Sequence, residues 1–304
     1  MSFETLGKKI SQLKNPTVVG LDPIFESLPQ FIKEQASTQY GNTLEAAAEA
    51  LLNFNIGLID ALCDIVPAVK PQCAYYELCG WQGMRALSKT ISYAKKKGMF
   101  VITDGKRNDI GSTMEAYAAA HLGQTEINGE LLTPFGADAL TVNGYLGTDG
   151  IKPLLKVCKQ FDKSIFVLVK TSNPSSGELQ DKLIDGKPIY ELMGDMCEKW
   201  SNVLNGYGPV GAVVGATYPQ QLELLRAQLP HTFFLVPGYG AQGGNAADVK
   251  FAFDKTGGGA VINSSRAIMY AYKKEGCDEH DYAGAARREA IRMKEEISGF
   301  VSIV

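Results

Sequence analysis

MFVITDGKRNDIGST, residues 99–113, is the stretch from which the fold can be predicted. A short apolar run, Met99–Ile102, ends in a cluster of charged and polar residues, and a helical pattern follows at Met114–Leu122. Strands that are apolar without alternation are typical of a parallel sheet buried on both faces. The stretch therefore predicts one strand–loop–helix unit whose polar residues lie where the strand ends.

The same unit recurs along the whole chain. Amphipathic segments separate the apolar runs, and no Pro/Ser-rich linker or shift in composition divides the sequence. The eight predicted strands are Thr17–Asp22, Ala68–Gln72, Met99–Lys106, Ala139–Asn143, Ile165–Thr171, Val210–Ala216, Phe233–Gly240 and Gly259–Ser265. The predicted helices are Leu44–Ile65, Trp81–Lys97, Met114–Leu122, Tyr190–Leu204 and Pro219–Gln228.

Eight such units predict an α/β protein, a single (β/α)8 TIM barrel with an N-terminal extension and long βα loops. We expect one domain over residues 1–304, with the barrel core at 17–270 and a C-terminal helical segment at 281–298. A doubly wound sheet is the alternative, because its local alternation is the same. In a barrel, the active site is expected at the C-terminal ends of the strands.

Composition and charge exclude several classes of protein. The 304 residues are 45% hydrophobic and 21% charged, which excludes a disordered tail, a coiled coil and a collagen-like fibre. The net charge is −3, so we expect no nucleic-acid or anionic-membrane partner. No apolar run would span a bilayer, the start lacks a secretion signal, and the six cysteines contain no C-x-x-C pair. These features predict a soluble cytoplasmic protein.

The densest charged pattern follows the third predicted strand. Asp104 and Lys106 are two residues apart, so on a strand they point the same way, and Asp109 follows in the loop. Lys70 ends the preceding strand and is a neighbour in a barrel with sequential strand order. Flanking carboxylates favour the charged ammonium, which suits a proton donor rather than a Schiff-base nucleophile. A structural salt-bridge layer is the alternative, but desolvating four ions is costly.

The spacing of these residues resembles that of a known family. Asp104-x-Lys106-x-x-Asp109-Ile110, with Thr113 four residues after Asp109, is similar to the signature of the orotidine 5′-phosphate decarboxylase family. The resemblance covers residues 17–270 and points to the longer branch of that family. Other segments that agree in order are Val19–Pro23, Val69–Pro71, Lys170–Pro174, Pro237–Gly243 and Asn263–Arg266.

The resemblance implies decarboxylation of orotidine 5′-monophosphate to UMP and CO2 in de novo pyrimidine biosynthesis, without a metal or an organic cofactor. Asp104 and Lys106 would lie against the substrate carboxylate and pyrimidine C6, with Lys106 as the proton donor to a carbanion-like centre. Lys70 would order the charges and contact the ribose. The other residues implied in substrate binding are Asp22, Gln72, Ile110, Thr113, Thr171, Ser172, Pro237, Gly238, Gly240, Gln242, Ser265 and Arg266.

The resemblance also implies a homodimer with shared active sites. Asp109 and Thr113 would come from the neighbouring subunit, and Asp22 would bind a ribose hydroxyl. Gln72 stands where relatives often carry Asn, which leaves its role open. Association with orotate phosphoribosyltransferase is also left open, as a contact between separate chains.

A glycine-rich turn indicates a phosphate site. Gly238, Gly240 and Gly243 form G-x-G-x-x-G, but the acidic residue that a dinucleotide site needs after the next strand is missing, since that strand ends Asn263–Arg266. Loops after strands seven and eight of a barrel commonly bind phosphate, and an arginine adds a bidentate contact. Tyr239 is a candidate to close over the anion, and a flexible surface turn is the alternative.

Two further features bear on function. The polar loop 171–186 is predicted to fold over the pyrimidine, with an ordinary surface excursion as the alternative. The three histidines are far apart and no H-E-x-x-H or Cys/His cluster occurs, so we expect no metal site.

Two other functions stay open. One is a magnesium-dependent sugar-phosphate lyase or decarboxylase that shares the Asp-x-Lys-x-x-Asp pattern, and the other is a catalytically silent nucleotide-binding barrel.

Overall fold

The computed structural model describes residues 2–240 and 244–304. Its central element is a closed barrel of eight parallel strands in sequential order, in which the last strand pairs with the first. The strands are β1 Thr17–Leu21, β2 Ala68–Pro71, β3 Phe100–Arg107, β4 Ala139–Val142, β5 Ser164–Lys170, β6 Val210–Val214, β7 Phe233–Val236 and β8 Ala260–Ser264.

Helices precede, connect and follow the strands of the barrel. They are α1 Ser2–Leu13, α2 Gln30–Tyr40, α3 Leu44–Leu62, α4 Cys73–Glu77, α5 Gly80–Lys96, α6 Gly111–Leu122, α7 Thr148–Phe161, α8 Ile189–Ser201, α9 Pro219–Gln228, α10 Ala246–Val249, α11 Arg266–Met269, α12 Ala271–Glu275 and α13 Tyr282–Ser298. Short antiparallel hairpins pair Thr125–Ile127 with Glu130–Leu132 and Leu183–Ile184 with Lys187–Pro188. Single 3-10 turns lie at Phe25–Ser27, Pro174–Glu178, Lys250–Ala252 and Glu279–Asp281.

The barrel predicted from eight apolar runs is confirmed. The doubly wound alternative is wrong, because Thr17 of β1 pairs with Ile262 of β8 and closes the sheet. Element ends differ from the prediction by a few residues. The largest difference is at β7, which stops at Val236 because Pro237 has no N–H for the strand ladder and a glycine turn follows.

Helix α1 closes the N-terminal end of the barrel. Phe3, Leu6 and Ile10 recur at helical spacing and are buried against side chains inside the barrel. The ring centroid of Phe3 lies 4.9 Å from those of Phe166 on β5 and Phe233 on β7. The sequence predicted an N-terminal extension but not this packing, which fills the N-terminal end of the barrel interior with α1 side chains.

Truncating the Phe3 side chain should destabilise the protein without changing the C-terminal ends of the barrel strands. We expect Phe3→Ala to lower the free energy of unfolding by about 3 kcal/mol, because removing a buried aromatic ring leaves a void between α1 and the barrel. Urea unfolding measures the change, and Thr5→Ala, at an exposed position of the same helix, is the matched control. Equal unfolding midpoints for the two variants would contradict the role given to α1.

Two further features concern the cysteines and the helices. All six cysteines lie within the described residues and are free thiols. Among the helices that the structure describes, none has both the length and the apolar character needed to cross a membrane.

Candidate active site

A cavity of about 550 Å³ opens at the C-terminal ends of the barrel strands. Part of its surface is apolar and is formed by Leu168 on β5, Val213 on β6 and Leu235 on β7. The polar and remaining lining residues are Asp22, Lys70, Asp104, Lys106, Thr141, Thr171, Ser172, Asn173, Gln180, Pro237, Gly238, Tyr239, Asn263, Ser265 and Arg266. The site therefore combines an apolar surface with charged groups from neighbouring strands.

Asp104 is the centre of the charged network. Its Oδ1 accepts hydrogen bonds from Lys106 Nζ and Thr141 Oγ1, both at 2.7 Å. Its Oδ2 accepts from Lys70 Nζ at 2.7 Å and from Gln72 Nε2 at 3.0 Å. Both carboxylate oxygens are thus saturated by donors from β2, β3 and β4, which fixes the orientation of the carboxylate.

The backbone of β3 is distorted where it presents these groups. Its register with β4 shifts between Thr103 and Arg107, and Lys106 has a φ of +45°. The left-handed conformation costs a residue with a Cβ roughly 1 kcal/mol, and such strain clusters at functional sites. Despite the irregular strand, Lys106 Nζ reaches Asp104, so the predicted proximity of the two side chains is confirmed.

Electrostatics keep the buried pair of Asp104 and Lys70 ionised. Burial opposes the charge on Asp104, but the ammonium groups of Lys70 and Lys106 outweigh it and hold the pKa of that carboxyl well below its usual range. Burial likewise opposes the charge on Lys70, but Asp104 and Asp22 raise its pKa above the ordinary value. The cavity therefore holds a fixed carboxylate beside fixed positive charge.

The stability of the protein should depend on pH through Asp104. Its native pKa lies below the unfolded value of about 3.9, so its contribution is complete above that pH and is lost as the pH falls toward the native pKa. The raised pKa of Lys70 changes the stability of the protein only above about pH 10. We expect Asp104→Asn to cost about 3 kcal/mol near neutral pH, because Lys70 loses its buried counter-charge.

This cost should shrink in acid. In urea unfolding at a series of pH values, the difference between the wild type and Asp104→Asn is expected to stay constant from about pH 5 to about pH 8 and to decrease below about pH 4. A difference that persists unchanged at about pH 3 would show that Asp104 is not ionised with a lowered pKa in the native state.

Asp22 and Ser265 meet across the seam between β1 and β8. Asp22 Oδ1 lies 3.9 Å from Lys70 Nζ and is buried without a hydrogen-bond partner among the described residues. Ser265 Oγ occupies the space beside Gly20, where a Cβ would lie only 1.9 Å from it. The lack of a side chain at Gly20 lets Ser265 face the cavity close to Asp22.

Three of the residues predicted to bind near the phosphate line the cavity. They are Pro237 and Gly238, which follow β7, and Arg266, which follows β8, whereas Gly240 is not among the lining residues and Gln242 lies outside the described residues. Gly238 has a φ of +99°, a conformation that favours glycine. The Arg266 side chain is exposed and forms no ion pair with any described residue, which leaves its charge available to an anion.

Tyr239 lines the cavity and contacts α13. Its hydroxyl donates a hydrogen bond to Glu296 on that helix. Closure of Tyr239 over an anion stays a prediction.

Three predicted residues on the segment that follows β3 lie outside the cavity of their own chain. Asp109 Oδ1 accepts a hydrogen bond from the Ile110 N–H at 2.8 Å, and Ile110 and Thr113 are exposed. Asp109 makes no ion pair with Lys70 or Lys106 within the described residues, so the predicted four-residue set is not assembled in one chain. Asp22 takes the fourth position beside Lys70 instead.

Several lining residues were not predicted. Thr141 lies inside an apolar run, and its importance depends on contact with Asp104 from another strand. Asn263 is two residues after the interior Val261, so strand alternation was the available signal. Its Oδ1 is buried without a hydrogen-bond partner among the described residues. Gln180 lies in a loop, where no periodicity marks it.

No group of three or more His, Cys, Asp or Glu side chains within residues 2–240 and 244–304 has an arrangement suited to a metal ion. Four charged groups of the cavity alternate in sign, Asp22 and Asp104 against Lys70 and Lys106, and each carboxylate lies beside an ammonium group. This arrangement suits the stabilisation of a negative charge that develops near Lys106.

The chain is similar in sequence to known proteins over most of its length. The sequence profile of the orotidine 5′-phosphate decarboxylase / HUMPS family matches residues 42–276. The orotidine 5′-phosphate decarboxylase of Rhodopirellula baltica is 47% identical over 307 residues, covering 98% of this chain and 100% of the relative. The enzyme of that name from Caldicellulosiruptor bescii is 38% identical and covers 99% of this chain and 97% of the relative.

Solved structures agree with this similarity. The OMP decarboxylase of Leishmania donovani has a TM-score of 0.72 at 29% identity, covering 97% of this chain and 98% of that one. The UMP synthase of Leishmania donovani has a TM-score of 0.76 at 31% identity, and the match covers 98% of this chain but 56% of that one.

Proposed function

The chain belongs to the orotidine 5′-phosphate decarboxylase / HUMPS family, and from that premise we infer that it is a carboxy-lyase that converts orotidine 5′-monophosphate to UMP and CO2 in pyrimidine biosynthesis. Relatives of that name match it along their whole lengths. The observation that carries the inference is the network of Lys70, Asp104 and Lys106 in the same cavity as Arg266.

Lys106 is proposed as the group that makes the reaction feasible. When the bond between C6 and the carboxylate breaks, the electron pair stays on C6, and no adjacent carbonyl delocalises it. A fixed ammonium stabilises this charge as it develops and then donates a proton to C6, which gives UMP and CO2. The hydrogen bond from Lys106 to Asp104 supports this role, because it fixes the direction of the ammonium.

Asp104 and the residues that contact the phosphate and the ribose are proposed to assist the decarboxylation. A substrate carboxylate bound near Asp104 would meet a like charge, which disfavours the bound ground state. Arg266, with Gly238, Ser265 and Gln242, would hold the phosphate, and that binding energy keeps the reacting ring in place. The unpartnered Oδ1 of Asp22 supports a hydrogen bond from a ribose hydroxyl.

We also propose a homodimer in which Asp109 and Thr113 complete the site of the partner subunit. Exposed apolar side chains support this arrangement, because they follow β2, β3 and β4 on the rim that carries Asp109. Such a patch is typical of a protein interface. The exposed residues are Leu78, Trp81, Ile110, Tyr145 and Leu146.

Two more general proposals concern the whole chain. We propose that residues 1–304 act as one folding unit, which is supported by the burial of α1 inside the barrel end and of α13 against α3. We also propose that the protein works in a reducing compartment such as the cytoplasm, which is supported by its six free thiols.

The decisive experiment is an absorbance assay. Purified protein is added to orotidine 5′-monophosphate with and without EDTA, and the expected result is equal loss of the orotidylate absorbance in both samples. Loss of activity with chelator would favour a magnesium-dependent lyase or decarboxylase of the same fold. Tight UMP binding without CO2 release would favour a silent nucleotide-binding barrel.

A further inference from the structure

Strand β5 ends in a set of contacts that the proposed mechanism does not use. Its last residue, Lys170, and the following Thr171 are both bound by a pair of residues that comes later in the loop, Gln180 and Asp181. We call these four residues the β5 clasp. It ties the start of the loop to its middle and lies beside the cavity, which Thr171 and Gln180 both line.

Both polar atoms of the Gln180 side-chain amide form hydrogen bonds with one residue, Thr171. Its Oε1 accepts a hydrogen bond from the Thr171 backbone N–H at 2.9 Å, and its Nε2 donates to Thr171 Oγ1 at 2.8 Å. Thr171 Oγ1 in turn donates to Asn173 Oδ1 at 2.6 Å. The orientation of Gln180 thus sets the position of Thr171 and Asn173, two of the consecutive cavity residues 171–173.

The second half of the clasp anchors it to the barrel. The Lys170 side chain is 1% exposed, and its Nζ lies 2.6 Å from Asp181 Oδ1 and 3.3 Å from Ser176 Oγ. The rings of Tyr190 and Tyr218 face this ammonium at 5.5 Å and 5.2 Å. Removing a partner from a buried charge is costly, so the ion pair holds Asp181, and with it the adjacent Gln180, in a fixed place.

Close packing against the end of β6 restricts the position of the residues that follow Lys170 from the other side. The Gly215 N–H donates to the Lys170 carbonyl at 2.8 Å. A Cβ at Gly215 would lie 2.9 Å from the Cβ of Ser172. Ser172 therefore lies directly against the backbone of Gly215, while the neighbouring Thr171 is held by Gln180.

We propose that Gln180 is a positioning residue for the pyrimidine end of the substrate, which acts through Thr171 and is held by the Lys170–Asp181 pair. This inference rests on the proposed function and on the predicted position of the loop 171–186 over the pyrimidine. The clasp forms this wall before substrate binds, so the substrate does not have to order the loop. The residues proposed to bind the phosphate and the ribose lie at the ends of other strands, so their binding of these groups should not depend on the clasp.

The test compares two ligands that differ only by the base. Dissociation constants of UMP and of ribose 5-phosphate are measured by calorimetry for the wild type, Gln180→Ala and Gln180→Glu. For Gln180→Ala we expect about tenfold weaker UMP binding, from the loss of two hydrogen bonds, with ribose 5-phosphate affinity unchanged. Gln180→Glu keeps the acceptor for the Thr171 N–H, so we expect it to recover part of the UMP affinity.

Two further variants make the result specific. Gly215→Ala, which displaces Ser172 from the opposite side, should also weaken UMP selectively, while Gln160→Ala, at an exposed position on α7, should change neither affinity. Equal weakening of both ligands by Gln180→Ala, or no change in either, overturns the proposal. A wild type that binds UMP but does not decarboxylate orotidine 5′-monophosphate overturns the proposed function, while the ratio of the two constants still tests Gln180.

Discussion

Replacing Lys106 by alanine is expected to abolish decarboxylation, with a decrease in kcat of at least about 10⁴-fold. Protonation by a positioned acid alone contributes roughly 10²- to 10⁴-fold, and the same ammonium also stabilises the developing carbanion. Asp104 would keep its bonds from Lys70 and Thr141, so the carboxylate should stay in place. The measurement is the rate of orotidylate loss at saturating substrate.

The control for this experiment is a lysine outside the cavity. Lys96→Ala, at an exposed position in the last turn of α5, should keep the wild-type rate. Lys106→Ala should still bind UMP and unfold cooperatively, which separates loss of chemistry from loss of structure. A Lys106→Ala enzyme that retained a tenth of the wild-type rate would exclude this lysine as the proton donor.

Mixing two inactive variants is expected to restore activity. Asp109→Ala should be inactive because Asp109 would complete the site of the partner subunit, whereas Lys106→Ala removes the donor from its own chain. A heterodimer of the two variants has one site with both residues intact and one site with neither. Random exchange makes half of the dimers heterodimers, so about a quarter of the wild-type activity should return.

The matched control uses two residues from the same side of the site. Lys106→Ala mixed with Asp104→Ala should restore nothing, because both residues come from one chain and no combination of subunits then contains an intact site. Subunit exchange is verified by mass spectrometry of differently tagged chains. If exchange is complete and the mixture with Asp109→Ala stays inactive, the assignment of Asp109 to the partner subunit is wrong.

Local sequence patterns were sufficient to predict the barrel and part of its charged network. The apolar runs predicted eight strands, because strands buried on both faces have few polar residues. Asp104 and Lys106 were predicted to lie together from their spacing, and their 2.7 Å contact confirms this. The positions of the strand ends were less accurate, since they depend on local features such as Pro237.

The features that sequence reasoning missed depend on contacts between distant segments. The apolar spacing of Phe3, Leu6 and Ile10 is visible in the sequence, but only the closed barrel shows that they pack inside its end. Gln180 lies in an irregular loop and becomes informative only when its amide is seen against Thr171. The hydrogen bond from Tyr239 to Glu296 on α13 joins residues that are 57 positions apart, so no local pattern indicates it.

The left-handed backbone at Lys106 has a consequence for engineering this enzyme. At a φ of +45° glycine is free of the strain that every residue with a Cβ experiences. A screen for heat resistance alone would therefore favour glycine at position 106 and would enrich inactive clones. Directed evolution toward a more robust catalyst has to select for turnover in the same round.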